Sequence, residues 1–181
     1  PEDLPTAELH QLLLGSVGPR PIALASTISR DGSVNLSPFS FFNIFSSNPP
    51  VVIFSAARRV RNNTTKDTLH NAMQQKEVVI NVVNYAITQQ VNLSSAEYSS
   101  DVDEFVKSGL TPIDSDLVAP RRVKESPVSL ECEVRDVLHM GEEGGAGNLV
   151  MCVVKKMHIA DDVLSENGGI DQDAIDLVGR L

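Results

Sequence analysis

The sequence predicts a mainly β protein, an antiparallel barrel that is closed or half-closed, with short helices packed on it. Strand-like segments outnumber helical ones. Two turn signals, Asp31-Gly32 and the glycine-rich residues 144–147, are typical of hairpins, which pair strands antiparallel. The regular strand–helix alternation of a doubly wound sheet is missing from the sequence. The length of 181 residues predicts one domain over residues 1–181.

Four strands are predicted in the first half of the chain. Small and branched residues begin at Pro21, and Asp31-Gly32 turns the chain into a returning strand. Pro49-Pro50 introduces a buried strand, and another run of branched residues follows. The predicted strands are residues 21–29, 34–39, 51–55 and 77–83.

Four helices are predicted before, between and after these strands. A leucine stripe that stops at Gly15 and Gly18 predicts the first helix. Apolar residues from Leu69 onward recur at helical spacing, and Thr64 or Thr65 can cap the N-terminus of this second helix. The two shorter helices are predicted at residues 86–95 and 102–106.

The second half of the chain is predicted to form a loop and then a long hairpin. Residues 112–127 hold three prolines and little periodicity, which favours a surface loop. Two long strands follow, at residues 128–140 and 149–159, and the glycines of residues 144–147 make the turn between them. The acidic tail from Ser165 shows no clear closing element.

The composition excludes several classes of partner. The chain has 15 basic and 24 acidic residues, a net charge of −9, 4% aromatic residues and no tryptophan. Nucleic acid is therefore not expected as a partner, because duplex binding needs a basic surface. No stretch approaches the roughly 20 apolar residues of a membrane span, and no signal peptide is visible, so no membrane partner and a cytoplasmic location are predicted.

No metal site is predicted. Cys132 and Cys152 lack the spacing of zinc ligands and are expected to be buried thiols. The four histidines are scattered along the chain, and the usual catalytic motifs are absent. Among the histidines only His158, at the end of a predicted strand, is a tentative functional residue.

A cluster of four cations within nine residues stands out in this acidic chain: Arg58, Arg59, Arg61 and Lys66. Threonines and a predicted helix start lie beside it. Backbone N–H groups, the helix dipole and arginine side chains together suit a phosphate monoester. A solvated basic loop followed by an ordinary threonine-capped helix explains the same residues, and the spacing does not separate the two interpretations.

Residues 37–50 interleave small polar side chains with four of the six phenylalanines. Hydroxyl groups and backbone amides beside apolar walls suit a flat heteroaromatic ring with carbonyl edges. A core strand followed by a polar turn is the alternative, and composition does not decide between them.

An ordered set of motifs from about residue 16 to 180 resembles the flavin reductase-like family, the FMN-binding split-barrel proteins that include flavoredoxin. The motifs of the first half are Gly18-Pro-Arg-Pro-Ile-Ala-Leu-Ala-Ser-Thr, Asp31-Gly32, Asn35-Leu-Ser-Pro-Phe-Ser-Phe-Phe-Asn, Pro49-Pro50 and Lys66-Asp67-Thr68. Those of the second half are Glu77-Val-Val-Ile-Asn, Leu110-Thr-Pro, Ser126-Pro-Val-Ser-Leu-Glu-Cys and Gly147-Asn-Leu-Val.

The resemblance implies a six-stranded Greek-key split barrel that binds FMN non-covalently, as a homodimer with the flavin near the subunit interface. It assigns residues to the cofactor in three groups. Those along the flavin are Ser26 and Thr27. Those around the isoalloxazine and ribityl chain are Asn35, Ser37, Pro38, Phe39, Ser40, Phe42 and Asn43. Those at the phosphate are Ser55, Arg58 or Arg61, Lys66, Asp67 and Thr68.

Three functions are consistent with this resemblance. The first is an NAD(P)H-dependent oxidoreductase that transfers hydride from the nicotinamide to FMN, which explains why no acid–base constellation is visible. In this case His158 would lie near the nicotinamide face, and the electron acceptor would be free flavin or a redox partner protein. The second is a non-enzymatic FMN electron carrier like flavoredoxin. The third is a split-barrel module that binds another ligand, such as haem.

Overall fold

The computed structural model describes residues 2–99 and 102–181, which form eleven strands and five α-helices. The strands are β1 (Arg20–Pro21), β2 (Ala23–Ile28), β3 (Val34–Phe39), β4 (Phe42–Ser47), β5 (Pro50–Ser55), β6 (Glu77–Val82), β7 (Pro112–Ile113), β8 (Arg122–Val123), β9 (Val128–His139), β10 (Asn148–Ile159) and β11 (Gly179–Arg180). The helices are α1 (Thr6–Ser16), α2 (Asp67–Gln75), α3 (Thr88–Ser94), α4 (Glu104–Ser108) and α5 (Gln172–Ile175). Short 3-10 helices lie at Tyr85–Ile87 and Asp161–Val163.

Seven of these strands form one antiparallel sheet in the order β3-β2-β6-β9-β10-β5-β4, with β3 and β4 at its edges. The prediction of a mainly β, antiparallel split barrel with flanking helices is confirmed. The sheet has one strand more than the six predicted, because β4 pairs with β5 as an edge strand. Strand β4 was not predicted as a separate strand, and a bulge between Ile44 and Ser46 interrupts the alternation of its side chains.

The long β9–β10 hairpin is present as predicted, and its glycine-rich turn packs against the segment that follows β5. The backbone N–H of Arg58 donates to the Ala146 carbonyl (2.9 Å), and the N–H of Gly145 donates to the Arg58 carbonyl (3.0 Å). A Cβ atom at Gly147 would lie 2.9 Å from Ser55 Oγ. A side chain at this position would therefore displace the Ser55 hydroxyl at the end of β5.

Two apolar clusters lie on opposite faces of the sheet. Strand β2 contributes to both, because Ala23 and Ala25 face the barrel interior while Leu24 faces the other side. Helix α2 places Leu69 in the interior cluster, and helix α4 places Phe105 in the outer one. The sheet is therefore covered by α2 on one face and by α3 and α4 on the other.

Several predicted elements have different bounds or surroundings. Helix α1 forms where predicted, but it buries none of its residues. Helix α2 begins at Asp67 after Lys66, which is its N-cap residue and makes no side-chain cap, so the prediction of a threonine cap is wrong. The helix predicted over residues 86–95 is a 3-10 turn followed by α3, and the one predicted over residues 102–106 is α4.

The two segments predicted to lack regular structure contain short elements. The loop of residues 112–127 holds the paired strands β7 and β8. The tail is closed by α5 and by β11, which pairs with β1 so that Arg180 lies opposite Arg20. Across the described ranges, no helix combines the length and apolar character needed to cross a membrane.

Candidate functional site

A cavity of about 520 Å³ lies where the ends of β3 and β5 meet α1, α2 and α3. Its volume falls in the range of roughly 300–1,000 Å³ that is typical of ligand sites. We call it the Lys66 cavity. The residues that line it are His10, Leu14, Ile22, Pro38, Phe39, Ser40, Phe41, Ser55, Ala57, Lys66, Val83, Thr88, Val91, Asn92, Ser95 and Arg180.

The described lining combines cations and hydroxyl groups with apolar side chains. Lys66 and Arg180 supply positive charge, and none of the described lining residues is a carboxylate. Phe39, Val83 and Val91 belong to the two apolar clusters and extend them to the cavity wall. Such a combination suits a ligand with a flat apolar body and an anionic end.

Lys66 is held at the cavity by the start of α2. Its Nζ lies 4.7 Å from the centre of the Phe39 ring, an approach that a cation favours. No carboxylate of residues 2–99 or 102–181 lies within 4.0 Å of this ammonium group. Burial, and next the positive charge of Arg59, lower the pKa of Lys66 below its ordinary value. A half-buried cation of this kind is a natural partner for an anion.

The arginines of the cationic cluster are engaged with the protein instead. Arg58 donates to the side chain and the backbone carbonyl of Asn63 (2.6 and 2.7 Å). Arg59 and Arg61 both pair with Glu97, at 3.2 and 2.6 Å. None of the three lines the Lys66 cavity, where Arg180 is the second cation instead.

Three of the predicted site residues, Thr27, Asn35 and Thr68, form a buried polar layer between α2 and the sheet. Asn35 Nδ2 donates to Thr68 Oγ1 at 2.8 Å, and Asn71 Nδ2 donates to Thr27 Oγ1 at 3.2 Å. The side chains of Thr27, Asn35, Thr68 and Asn71 fix the position of α2, and therefore of Lys66, rather than facing the cavity. Ser26 lies on the opposite face of the sheet, where it is fully buried, and its hydroxyl has no hydrogen-bond partner within the described residues.

Phe42 and Asn43 line a neighbouring cavity of about 460 Å³, which we call the Arg20 cavity after its buried arginine. Asn43 is exposed, and its side-chain oxygen accepts from the Ile44 backbone N–H at 2.8 Å. The Arg20 cavity shares three of its lining residues with the Lys66 cavity: Ser40, Phe41 and Ser55. The two cavities are therefore adjacent.

His158 lies outside both cavities. Its Nε2 is hydrogen-bonded to Glu131 Oε1 at 2.5 Å. The fully buried Glu131 carboxylate also accepts from the backbone N–H groups of Asp116 and Leu117, at 2.8 and 2.7 Å. Burial raises the pKa of Glu131, but these hydrogen bonds outweigh it and hold the pKa below its usual value. Asp116 in turn pairs with Lys156, so hydrogen bonds to Glu131 and this ion pair account for the cluster.

Helix α3 contributes a polar face that sequence reasoning missed. Thr88, Asn92 and Ser95 line the Lys66 cavity, and their spacing of four and three residues places them on one side of the helix. Two of the hydroxyl groups also donate within the chain, Thr88 to the Tyr85 carbonyl and Ser95 to the Asn92 carbonyl. The polar stripe was the signal that could have found them.

The structure thus divides the residues assigned by resemblance. Those that it brings together in the Lys66 cavity are Pro38, Phe39, Ser40, Ser55 and Lys66. Those that lie outside its lining are Ser26, Thr27, Asn35, Ser37, Phe42, Asn43, Arg58, Arg61, Asp67, Thr68 and His158. Ser37 is half-buried in β3 opposite Ala25, and Asp67 is exposed in the first turn of α2.

Comparison with known proteins agrees with this fold. Residues 15–173 match the flavin reductase like domain family, and the chain belongs to that family. An uncharacterized protein of Halalkalibacterium halodurans is 38% identical over 183 residues, covering 100% of this chain and 87% of the relative.

Solved structures give the same result. Nitrilotriacetate monooxygenase component B from Bacillus cereus superposes with a TM-score of 0.93 at 28% identity, covering 100% of this chain and 89% of that one. Flavoredoxin of Desulfovibrio vulgaris shares the fold, with a TM-score of 0.77 at 19% identity over 90% of this chain and 82% of its own. The resemblance identified from the sequence is confirmed.

Proposed function

We propose that the protein binds FMN in the Lys66 cavity and is an NAD(P)H-dependent flavin reductase. The observation that carries the proposal is the lining of this cavity, where a half-buried ammonium group with no carboxylate partner among the described residues lies together with hydroxyl groups and apolar side chains. Family membership supports a flavin as the ligand. When bound, the flavin supplies the chemistry of hydride acceptance.

The residues of the cavity fit the parts of FMN. Lys66 would bind the terminal phosphate, because it is a cation without a carboxylate partner in the described chain, and Arg180 adds a second positive charge. A charge-assisted hydrogen bond to a phosphate oxygen is about twice as strong as a neutral one. FMN is favoured over FAD because the cations of the lining suit a phosphate monoester, and the sequence holds no glycine-rich pyrophosphate loop.

Other side chains would orient the ring and exclude water. Ser40 and Ser55 would donate or accept hydrogen bonds at the polar edge of the ring, since both lie at strand ends that face the cavity. Phe39, Val83 and Val91 would form the apolar wall. Hydride transfer requires no proton donor from the protein, which agrees with a described lining that contains no carboxylate.

The proposal is tested by reconstitution and anaerobic mixing. The purified chain is incubated with FMN, FAD and riboflavin, and the affinity of each is measured by quenching of flavin fluorescence. The FMN-loaded protein is then mixed anaerobically with NADH and with NADPH while the flavin absorption band is followed. Bleaching at a rate that saturates with nicotinamide supports the reductase.

Each other outcome favours a different function. If neither nicotinamide bleaches the flavin but a reduced electron-transfer protein does, the protein is an FMN electron carrier. If the chain binds no flavin and instead gives a Soret band with haem, the haem module is correct. Tighter binding of FAD than of FMN would contradict the assignment of Lys66 to a terminal phosphate.

A further inference from the structure

The guanidinium group of Arg20 is buried, and only one of its nitrogen atoms is satisfied. The residue is 6% exposed. Its Nη1 donates to the Leu14 carbonyl at 2.7 Å and also to the Val17 carbonyl, which closes the end of α1. Its Nε and Nη2 are buried without a hydrogen-bond partner, and no carboxylate of the described ranges lies within 4.0 Å of the group.

The two unsatisfied atoms lie on the same edge of the guanidinium plane. The Nε–H and Nη2–H bonds of an arginine run parallel, and this fork matches the two oxygens of a carboxylate. A buried charge with unpaired donors is costly, and burial of this kind is ordinarily compensated by an anion. Capping of α1 accounts for Nη1 alone, so the other edge has no function within the described chain.

Arg20 lines a cavity that is otherwise nearly all apolar. The Arg20 cavity has a volume of about 460 Å³, and its walls include Leu13, Val17, Phe45 and Leu149. Arg20 is the single charged residue among its described lining residues. One guanidinium balances one negative charge, which favours a carboxylate over a dianionic phosphate. The apolar walls suit a ligand whose remaining part is a hydrocarbon or aromatic ring.

We propose that the Arg20 cavity is a second binding site, which holds a small apolar carboxylate through the free edge of Arg20. The site is adjacent to the Lys66 cavity, because both are lined by Ser40, Phe41 and Ser55. Leu13 in the last turn of α1 and Val17 just after it cover the cavity. Arg20 holds this segment through the Leu14 and Val17 carbonyls, so the segment has to shift for a carboxylate to reach the buried Nε and Nη2. A carboxylate bound there lies beside the proposed flavin site.

The test uses benzoate as the probe and benzamide as its uncharged equivalent. Binding of each to the full chain is measured by titration calorimetry, with and without FMN. Benzoate is expected to bind about 10-fold or more tightly than benzamide, because only the carboxylate accepts two charge-assisted hydrogen bonds. In the Arg20→Gln variant this preference is expected to vanish.

A second variant keeps the test independent of the role of Arg20 in α1. Leu13 and Leu12 are neighbours on α1 with 52% and 54% exposure, but only Leu13 lines the Arg20 cavity. Leu13→Glu is expected to weaken benzoate binding by about 10-fold or more through like-charge repulsion, while the matched Leu12→Glu leaves it unchanged.

Three results would overturn the proposal. They are equal affinities for benzoate and benzamide, equal benzoate affinity in the two glutamate variants, and no benzoate binding at concentrations of about 10 mM. The affinity for FMN is measured separately in every variant. A failure of the carboxylate site is therefore distinguished from a failure of the flavin assignment.

Discussion

Replacement of Lys66 by methionine tests the phosphate assignment directly. The Lys66 ammonium lies over the Phe39 ring and has no carboxylate partner in the described chain, so its charge is available to a ligand. Methionine keeps the apolar stem against Phe39 and removes only the charge. One charge-assisted hydrogen bond contributes about 1.5–3 kcal/mol, which corresponds to a loss of about 10- to 150-fold in FMN affinity.

The assay compares two flavins and two variants. Riboflavin lacks the phosphate, so its affinity should change by less than about 3-fold in Lys66→Met. Arg61→Met is the matched control, because Arg61 is exposed, pairs with Glu97 and does not line the cavity. It should leave both affinities unchanged. Equal weakening of FMN and riboflavin in Lys66→Met, or an unchanged FMN affinity, would refute the reasoning.

Four further predictions concern pH, stability and assembly. FMN affinity should fall as the pH rises through the pKa of Lys66, which burial and the charge of Arg59 lower below its ordinary value, because the phosphate binds the protonated amine; riboflavin titrations should stay flat. Glu131→Gln should lower the free energy of unfolding in urea at neutral pH by about 1–3 kcal/mol. The pKa of Glu131 is lowered in the folded state, so its charge stabilises the fold above the unfolded-state pKa of about 4.3. This stabilisation is lost as the pH falls through the pKa of the folded state. The free energy of unfolding of Glu131→Gln should therefore decrease less in acid than that of the unmodified protein. Thr68→Val should lower the free energy of unfolding by about 1–3 kcal/mol, because it leaves the buried Asn35 amide without its acceptor. Lys66→Met should not lower it. Equal stabilities of the two variants would contradict the buried polar layer. The protein should be a homodimer, because exposed Ile44 lines a largely apolar cavity of about 740 Å³ that a second subunit would cover. Light scattering should give about twice 19.6 kDa, and Ile44→Glu should give a monomer. A monomer of the unmodified protein would contradict the homodimer.

The β-rich, antiparallel character of the fold could be predicted because it depends on local signals. Asp31-Gly32 and the glycines of residues 144–147 specify turns through their backbone conformations, and β2 and β3 and the long β9–β10 hairpin formed where these turns placed them. Strand β4 escaped prediction because its pairing with β5 stabilises it, and its bulge removes the alternation on which a local reading depends.

The residue at which α2 begins could not be predicted from the neighbouring sequence. Thr64 and Thr65 have the side chains of good caps, but the helix begins after Lys66, whose own side chain makes no cap. The hydroxyl of Thr64 instead accepts a hydrogen bond from Arg59, which belongs to the preceding loop. A contact between loop residues, rather than helix propensity, decided the boundary.

By itself the sequence determined the family and the antiparallel fold. Only the tertiary structure decided which of its polar residues face the cavity. Thr68 and Lys66 are two positions apart, yet Thr68 is buried against Asn35 while Lys66 lines the cavity. The polar face of α3 and Arg180 of β11 reach the same cavity from distant parts of the chain. Periodicity reveals which residues share a face, but long-range packing decides what that face meets.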